Sequence, residues 1–255
     1  MSGEGVDLGG MVAIVTGAGR GLGRDFSQSL AGWGAAVAAV GRTGSAVDET
    51  VKAIRAQGGV AETFYADVTD PGAADRVVGR VESTIGPVGI LINNAGTMNL
   101  GRVADIDPAA WWTDFEVNVK ATMVWCQAAL MSMTARRDGV IVNVASTAAQ
   151  WVVPAASAYI ASKAAVISFT RVLAAELHGS GVRVFAFGPW ARTDMTGALA
   201  TSPAFTHEQR ALFSVIDDVE AARRLAGTTR MLGQIVAGDL DGHVGGFLDS
   251  EAPPT

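Results

Sequence analysis

The chain has 255 residues, of which 49% are hydrophobic, and it carries a formal net charge of −6. That length and apolar content suffice for one α/β domain with a large core, whereas the acidic balance gives no basic surface for nucleic acid. The longest apolar run, residues 31–40, is too short and too rich in glycine to cross a membrane, and no leader-like stretch opens the chain. We therefore expect a cytoplasmic protein without nucleic-acid or membrane partners. The one cysteine, Cys126, and three isolated histidines predict no disulfide framework and no metal site.

Short apolar runs alternate with longer segments of helical period along the chain. Strands are predicted at residues 11–16, 35–40, 62–66, 89–93, 139–144 and 182–187, with a seventh at 246–248. Helices are predicted at about 21–32, 45–57, 71–85, 109–135, 155–178 and 217–236. This alternation predicts an α/β fold, a doubly wound parallel sheet of about seven strands with helices on both faces. We expect one domain over residues 1–255, with a lid at about 194–214 and a flexible tail at 250–255.

The first predicted strand runs directly into a glycine-rich turn that opens the first helix. Gly17, Gly21 and Gly23 form the pattern Thr-Gly-x-x-x-Gly-x-Gly. Glycines at such a turn let backbone N–H groups approach a pyrophosphate, and the helix N-terminus adds a partial positive charge. The pattern predicts a Rossmann-type site for the phosphates of a dinucleotide, formed by Gly17, Gly19, Arg20, Gly21, Leu22 and Gly23.

The end of the second predicted strand indicates which dinucleotide binds. An acidic residue there commonly holds the ribose 2′-hydroxyl of NAD, whereas a nearby arginine accommodates the 2′-phosphate of NADP. Gly41 takes the acidic position, and Arg42 and Thr43 follow it. The Arg42 guanidinium can bind a phosphate with paired hydrogen bonds, and Arg20 adds a second cation. We expect NADP(H) to be preferred and NAD(H) to be possible, the alternative being that both arginines only decorate the surface.

Polar residues follow the third and fourth predicted strands, at the edge where a parallel sheet collects its ligands. Asp67, which precedes Val68, can accept a hydrogen bond from an adenine amino group, although an aspartate there is also an ordinary turn former. Asn93 is expected to support the sheet at a buried turn. The residues expected to pass close to the ribose are Asn94, Ala95 and Gly96.

Tyr159 and Lys163 stand four positions apart on a predicted helix, so their side chains share one face. A nearby ammonium favours the phenolate and moves the tyrosine pKa towards the range in which general acid–base catalysis is efficient. Ser146, at the end of the fifth predicted strand, can hydrogen-bond a substrate oxygen. Asn118 is a poor helix former inside a helix pattern, which favours a specific task, although a lone helical asparagine often faces solvent. A Tyr-x-x-x-Lys pair also arises by chance on exposed helices, so its interpretation depends on the other motifs.

Taken in chain order, these motifs resemble the short-chain dehydrogenase/reductase family over roughly residues 8–250. The resemblance implies that Tyr159 is the catalytic acid/base, that Ser146 orients the carbonyl or alcohol oxygen, and that Lys163 binds the nicotinamide ribose and tunes the tyrosine. It also implies that Asn118 holds a water in a proton relay. Family members usually form dimers or tetramers, here through the helices predicted at 109–135 and 155–178.

The segment after the sixth predicted strand departs from the family pattern. Relatives usually carry Pro-Gly ahead of a threonine that contacts the nicotinamide carboxamide, whereas Gly188 and Pro189 stand in the reverse order ahead of Thr193. Proline fixes φ and removes an N–H donor, so Pro189 is expected to change the local path beside the cofactor. Pro189 and Thr193 are still expected to contact the cofactor.

Large apolar residues after the predicted strand ends indicate the class of substrate. A pocket built from such residues suits a bulky hydrophobic ketone or secondary alcohol, although an aromatic residue near a loop is more often packing. We expect NADPH-dependent reduction of the ketone, or the reverse oxidation. The alternatives are an NAD-dependent alcohol dehydrogenase, and a non-redox enzyme or nucleotide-binding protein of the same fold. The expected substrate contacts are Met98, Ser146, Trp151, Tyr159, Trp190 and Met195.

Overall fold

The computed structural model describes residues 6–191, 193, 195, 197, 201 and 217–251. All seven strands form one parallel sheet in the order β3-β2-β1-β4-β5-β6-β7. The predicted strands are confirmed, and their ends differ from the prediction by at most two residues. The strands are β1 Val12–Thr16, β2 Ala36–Gly41, β3 Val60–Tyr65, β4 Val88–Asn93, β5 Gly139–Val144, β6 Val182–Gly188 and β7 Phe247–Asp249.

Helices cover both faces of the sheet. They are α1 Gly21–Gly32, α2 Gly44–Ala56, α3 Ala73–Thr84, α4 Pro108–Phe115, α5 Ala121–Arg136, α6 Ser157–Glu176 and α7 Asp218–Ala237. Successive residues of a strand point to opposite faces. Ala13 and Val15 of β1 pack with α1, α2 and α7, whereas Val12 and Ile14 pack with α3, α5 and α6. The predicted doubly wound sheet is therefore confirmed.

The helix predicted over 109–135 is not one regular helix. A π-helical turn, Glu116–Lys120, separates α4 from α5, and Asn118 lies inside it. A π turn inserts an extra residue into the helical repeat and is frequent at functional sites. The apolar pattern of the sequence assumes a uniform period of 3.6, so it does not reveal this irregularity. The turn displaces Asn118 from the position that a regular helix would give it.

Helix α6 is long and apolar enough, by length and composition, to cross a membrane, and among the described helices only α6 passes that test. In the fold it packs against β5 and β6. Val166 and Leu173 are buried in that layer, and so is the charged Lys163. The apolar composition of α6 is therefore explained in part by its packing on the sheet.

Two predicted segments fall partly beyond the described residues. The lid at 194–214 lies outside them except for positions 195, 197 and 201. Of the tail at 250–255, positions 252–255 lie outside. The Ser250 N–H donates to Gly188 O at 3.1 Å, and Ser250 Oγ accepts from Trp190 N at 3.0 Å. These bonds place the end of β7 against the segment that follows β6.

Candidate active site

The glycine-rich turn and the turn after β4 are in direct contact. The Thr16 hydroxyl accepts the backbone N–H groups of Asn94 and Ala95, each at 3.0 Å. Gly17 has φ of +67°, and a Cβ there would lie 3.0 Å from Ala95 Cα. A Cβ on Gly23 would lie only 2.1 Å from Gly17 O. The two turns thus meet because neither glycine has a side chain.

Arginine and threonine side chains from α1 and α2 hold the carbonyl groups of the glycine-rich turn. Arg24 Nη2 donates to Gly19 O at 2.8 Å, and Thr50 Oγ1 donates to Ala18 O at 2.9 Å. Arg24 Nε also donates to Thr50 Oγ1 at 3.2 Å. Neither residue stands out in the sequence, because their helical spacing resembles that of ordinary surface positions.

The residues present fit the pyrophosphate of a dinucleotide. Gly17 and Gly23 contribute no side-chain atoms to the turn, and α1 begins at Gly21, so its N-terminal N–H groups face the turn. Arg20 is exposed immediately before the helix, and Leu22 is partly buried against the core. This turn could therefore hold the phosphates while the adjoining strand ends hold the two nucleosides.

The end of β2 presents an arginine beside an aspartate. Gly41 is buried, and a Cβ there would lie 2.7 Å from Val47 Cγ2, which explains why a glycine stands at this position. Arg42 has 70% of its side chain exposed, and its Nη1 lies 3.3 Å from Asp67 Oδ2. Thr43 immediately precedes α2. The residues predicted to contact the adenosine part of the dinucleotide are thus brought together.

Hydrogen bonds hold Asp67 as an acceptor. Burial raises the pKa of its carboxyl, but hydrogen bonds from Thr69 and the charge of Arg42 outweigh burial and lower it overall. Thr69 N and Thr69 Oγ1 both donate to Asp67 Oδ1. The next residue, Val68, packs against the core, and its carbonyl accepts from Trp125 Nε1 at 3.3 Å. Asp67 therefore fills the turn-forming role that the sequence left open, and its position beside Arg42 also suits an adenine contact.

A buried polar group supports the sheet below the second turn. Asn93 Nδ2 donates to Asn143 Oδ1 at 2.9 Å and lies 3.3 Å from Cys126 Sγ. Asn143 Nδ2 in turn donates to Thr170 Oγ1 at 3.0 Å. Burial raises the pKa of the Cys126 thiol to about 12, so this cysteine is a neutral packing residue at physiological pH. The interpretation of Asn93 as a support of the sheet agrees with these contacts.

Ser146, Tyr159 and Lys163 converge at the end of β5. Ser146 follows that strand, and its side chain acts on the Tyr159 hydroxyl so as to lower the pKa of that phenol. Lys163 is buried, and its Nζ donates to Val144 O at 2.7 Å and lies 5.8 Å from the centroid of the Tyr159 ring. The chance pairing on an exposed helix, which the sequence left open, does not describe this site.

Burial dominates the protonation of this group. It raises the pKa of Tyr159, the hydrogen bond with Ser146 acts in the opposite direction, and the charge of Asp114 raises it further. Burial also lowers the pKa of Lys163 to about 8, against the charge of Asp114. The expectation that the tyrosine pKa moves downwards is therefore wrong, because burial raises it and is the largest cause of its shift.

Asn118 is buried, not solvent-facing. Its Oδ1 accepts from Thr97 N at 2.9 Å, and its Nδ2 donates to Thr97 O at 3.0 Å and to Ser162 Oγ at 2.8 Å. Both amide hydrogens are thus used by protein groups. The side chain holds the segment after Gly96 against α6, and its role with a relay water stays a prediction.

Contacts with β7 and α7 fix the segment after β6. A Cβ on Gly188 would lie 2.6 Å from the Phe247 ring, which requires glycine at this strand end. Trp190 N donates to Thr228 Oγ1 at 2.9 Å, and the Arg224 guanidinium lies 4.8 Å from the Trp190 ring centroid. One face of the Trp190 ring is therefore covered, so packing is at least part of its role. Pro189 lies partly buried between these anchors.

The other residues predicted to contact the cofactor or the substrate differ in how far they are buried. Thr193 is near the glycine-rich turn, because a Cβ on Gly21 would lie 3.3 Å from Thr193 Cγ2. Met98 and Met195 are partly buried, whereas 63% of Trp151 is exposed. Trp151 thus presents a large apolar surface on the loop that follows Ser146.

Comparison with known proteins identifies the family to which the chain belongs. The profile described as short chain dehydrogenase matches residues 11–203. The chain belongs to the short-chain dehydrogenase family. As a member, it is an NAD(P)-dependent oxidoreductase that acts on alcohol or carbonyl groups. The predicted family is therefore confirmed.

This short-chain dehydrogenase is similar in sequence or structure to three proteins of known name. It is 40% identical over 193 residues to a short chain dehydrogenase of Pseudocercospora fijiensis, and the match covers 75% of this chain and 62% of that protein. A structure from Beutenbergia cavernae, assigned as an NAD(P)-dependent gluconate 5-dehydrogenase with NADP bound at low occupancy, has 31% identity and a TM-score of 0.85 over 96% of both chains. A variant of the actinorhodin polyketide ketoreductase with NADPH has 27% identity and a TM-score of 0.84, covering 94% of this chain and 95% of its own.

We expect Gly23→Ala to weaken the binding of both NADPH and NADH at least tenfold, or about 1.4 kcal/mol. The added methyl group would collide with Gly17 O, and backbone cannot move aside as a flexible side chain can. Titration with each dinucleotide, followed by quenching of tryptophan fluorescence, measures the effect. Gly32→Ala is the matched control, because a Cβ at that end of α1 meets nothing within 4 Å. Equal affinities for Gly23→Ala and wild type would contradict the close packing of this turn.

Proposed function

We propose that this short-chain dehydrogenase reduces a ketone on a bulky hydrophobic substrate with NADPH, or oxidises the corresponding secondary alcohol. The observation that carries the proposal is the buried Lys163 ammonium, which lies 5.8 Å from the centroid of the Tyr159 ring, together with the effect of Ser146 on the Tyr159 hydroxyl. This arrangement places a proton donor and a second hydroxyl where a substrate oxygen can meet both. A protein that only binds nucleotides has no need of such a buried group.

The side chains would share the work of carbonyl reduction. When bound, the nicotinamide supplies the hydride to the carbonyl carbon. Ser146 orients the carbonyl oxygen, and Tyr159 transfers its phenolic proton to that oxygen as the C–H bond forms. Because burial raises the pKa of Tyr159, the phenol is protonated at neutral pH and is ready to act as an acid. Lys163 then stabilises the phenolate and, with Asn118 and a water, returns a proton to it.

Residues at several strand ends and on α6 would hold the cofactor. Arg20, with Gly17, Gly19, Gly21, Leu22 and Gly23, would bind the pyrophosphate, and Asp67 with Val68 would bind the adenine. The ribose and nicotinamide would contact Asn94, Ala95, Gly96, Tyr159, Lys163, Pro189 and Thr193. These assignments rest on the contact between the glycine-rich turn and the Asn94–Ala95 backbone.

The preference for NADPH rests on the end of β2. Arg42 is exposed there beside Gly41, so no carboxylate at position 41 repels a 2′-phosphate. The NADP in the Beutenbergia structure supports this assignment for a protein of similar fold. The ion pair between Arg42 and Asp67 favours the second candidate, NAD-dependent alcohol oxidation, because Asp67 competes with a phosphate for the guanidinium. We place NADPH-dependent reduction first because exposed ion pairs are weak.

An apolar substrate is proposed from the residues around the predicted cleft. Trp151 and Val152 are exposed on the loop after Ser146, with Val152 at 95%. Met98, Trp190 and Met195 follow other strand ends. Large exposed apolar side chains at the mouth of a site favour an apolar ligand.

We further propose that residues 1–255 act as one cytoplasmic domain that holds both cofactor and substrate.

We also propose that the protein is a homo-oligomer, a tetramer or a dimer. An open groove of about 390 Å³ runs between α5 and α6, and most of the side chains that line it are apolar. Met131 is 78% exposed in this groove, and Val172 is 55% exposed on α6. The apolar residues that line the groove are Met123, Leu130, Met131, Phe169 and Leu173.

Tyr159→Phe should lower ketone reduction at least 100-fold, because general acid catalysis contributes about that much. Its affinity for NADPH should stay within about threefold of wild type, since the ring is kept. Initial rates with NADPH and a panel of bulky ketones, with fluorescence titration of the cofactor, test this. The chain has only two tyrosines, so Tyr65→Phe is the matched control and should keep its activity. Full turnover by Tyr159→Phe would remove this phenol from the reaction.

Arg42→Ala should weaken NADPH binding by about tenfold, or 1.4 kcal/mol, and NADH binding much less. The guanidinium faces a phosphate that only NADPH carries. Arg80→Ala is the control, because Arg80 also forms an exposed ion pair, with Glu62 at 3.8 Å. Equal losses for both dinucleotides would show that Arg42 does not read the 2′-phosphate and would favour NAD-dependent oxidation.

Met131→Lys should shift the protein towards monomers in sedimentation velocity, because it places a charge in the exposed groove between α5 and α6. Val219→Lys, at a position that is 79% exposed on α7, is the matched control and should sediment as wild type. Unchanged assembly of Met131→Lys would place the interface elsewhere.

A further inference from the structure

A buried carboxylate lies behind the proposed acid–base group. Asp114, near the end of α4, has no exposed surface. Burial raises the pKa of its carboxyl, while hydrogen bonds from Asn99 and Thr97 and the charge of Lys163 act in the opposite direction. A buried acidic residue is rare unless it is paired, so its presence here calls for a partner.

The partners of Asp114 belong to the segment after the Asn94–Ala95 turn. Asp114 Oδ1 accepts from Thr97 Oγ1 at 2.9 Å and from Asn99 Nδ2 at 2.8 Å, and Oδ2 accepts from Asn99 N at 3.1 Å. Both Asn99 groups are donors only, which favours the ionised carboxylate. The two residues flank Met98, a proposed substrate contact, so the carboxylate fixes the backbone on either side of it.

The same segment connects Asp114 to Lys163. A Cβ on Gly96 would lie 3.2 Å from Asn118 Oδ1 and 3.6 Å from Lys163 Nζ, so the backbone of this segment passes between α6 and the π-helical turn. Thr97 is held from one side by Asn118 and from the other by Asp114. The groups that meet here are thus the ammonium from α6, the amide from the π-helical turn and the carboxylate from α4.

We propose that Asp114 is a positioning residue for proton transfer: it fixes the segment 97–99 beside the substrate and supplies the negative charge that keeps the buried Lys163 protonated. The ammonium has a neutral backbone partner, Val144 O, which does not offset its charge. The groups that face the pair are Tyr159 from α6, the Ser146 hydroxyl beyond β5 and the Asn118 amide. Asp114 is therefore the anionic member of the group.

The charge of Asp114 changes the pKa values of Lys163 and Tyr159 in the same direction. The charge of Asp114 raises the pKa of Lys163 and that of Tyr159, so both groups hold their protons to a higher pH. A protonated phenol is the form that reduces a carbonyl, whereas alcohol oxidation needs the phenolate. Asp114 thus keeps Lys163 charged over the pH range in which the protonated phenol acts as an acid. This consequence rests on the proposed function, but the charge coupling to Lys163 does not.

The coupling can be measured without substrate or cofactor. The chain has three lysines, Lys52, Lys120 and Lys163, and the first two are exposed. In protein labelled with ¹³C at lysine Cε, the NMR shift of Lys163 reports its charge, and Lys163→Arg assigns the signal. We expect a midpoint near pH 8 in wild type, because burial lowers the pKa of Lys163 to about 8. Asp114→Asn should lower the midpoint by at least about half a pH unit.

Two variants separate charge from positioning. Asp107→Asn removes an exposed carboxylate that caps the same helix, and it should leave the Lys163 midpoint unchanged. Thr97→Val keeps the charge and removes one hydrogen bond to Asp114, so it should raise KM without moving the midpoint. If Asp114→Asn does not fold, Asp114→Ser removes the same charge from a smaller side chain. An unchanged midpoint in a folded Asp114 variant, or an equal shift in Asp107→Asn, would overturn the proposal.

Turnover then distinguishes this proposal from the proposed function. With a ketone substrate, Asp114→Asn should lose more of kcat at pH 8 than at pH 6.5, because Lys163 loses its charge over that range. If the midpoint shifts but wild type reduces no ketone with either dinucleotide, the charge coupling stands and the reduction is wrong. If wild type reduces ketones and the kcat ratio of variant to wild type is constant with pH, the function stands and the role of Asp114 fails.

Discussion

The Thr16 hydroxyl accepts the backbone N–H groups of Asn94 and Ala95 and donates to Ile92 O, and so it ties the turn after β1 to the turn after β4. Strands β1 and β4 are neighbours in the sheet, so the two turns leave it side by side. Gly17 lets them touch, because a Cβ would lie 3.0 Å from Ala95 Cα. The carboxyl ends of the other strands lie at the same edge of the parallel sheet. A displacement here would move the phosphate turn and the proposed acid–base group relative to each other.

Burial decides how the acid–base group behaves. Among the described residues, every buried side-chain nitrogen and oxygen has a hydrogen-bond partner. Lys163, Asn118 and Asp114 are buried, so water screens their charges and dipoles little. In such surroundings one charge changes the protonation of another more than it does in water. The acid–base properties of Tyr159 thus depend on residues from α4, the π-helical turn and β5.

Residues near the C-terminal end of the described chain fix the path of the segment after β6. Gly188 stands where the Phe247 ring of β7 packs, which gives a physical reason for glycine one position ahead of Pro189. Beyond the proline, Trp190 N is bound by the hydroxyls of Thr228 and Ser250. The departure from the family pattern is therefore matched by contacts from α7 and β7. These contacts hold the backbone after Pro189 in place, whereas a glycine after the proline would have left it more freedom.

The sequence by itself determined the alternation of strands and helices, the glycine-rich turn and the grouping of Ser146, Tyr159 and Lys163 at one edge, because each is a local pattern or follows from parallel strands. It did not reveal the π-helical turn at Asn118, since a periodic pattern averages over one inserted residue. It also did not reveal Asp114, which reads as one more polar residue of a helix. Whether that carboxylate is buried, and whether burial raises the pKa of Tyr159, depends on which elements pack together. Only the tertiary structure decided those points, because burial and long-range charge are properties of residues distant in the chain.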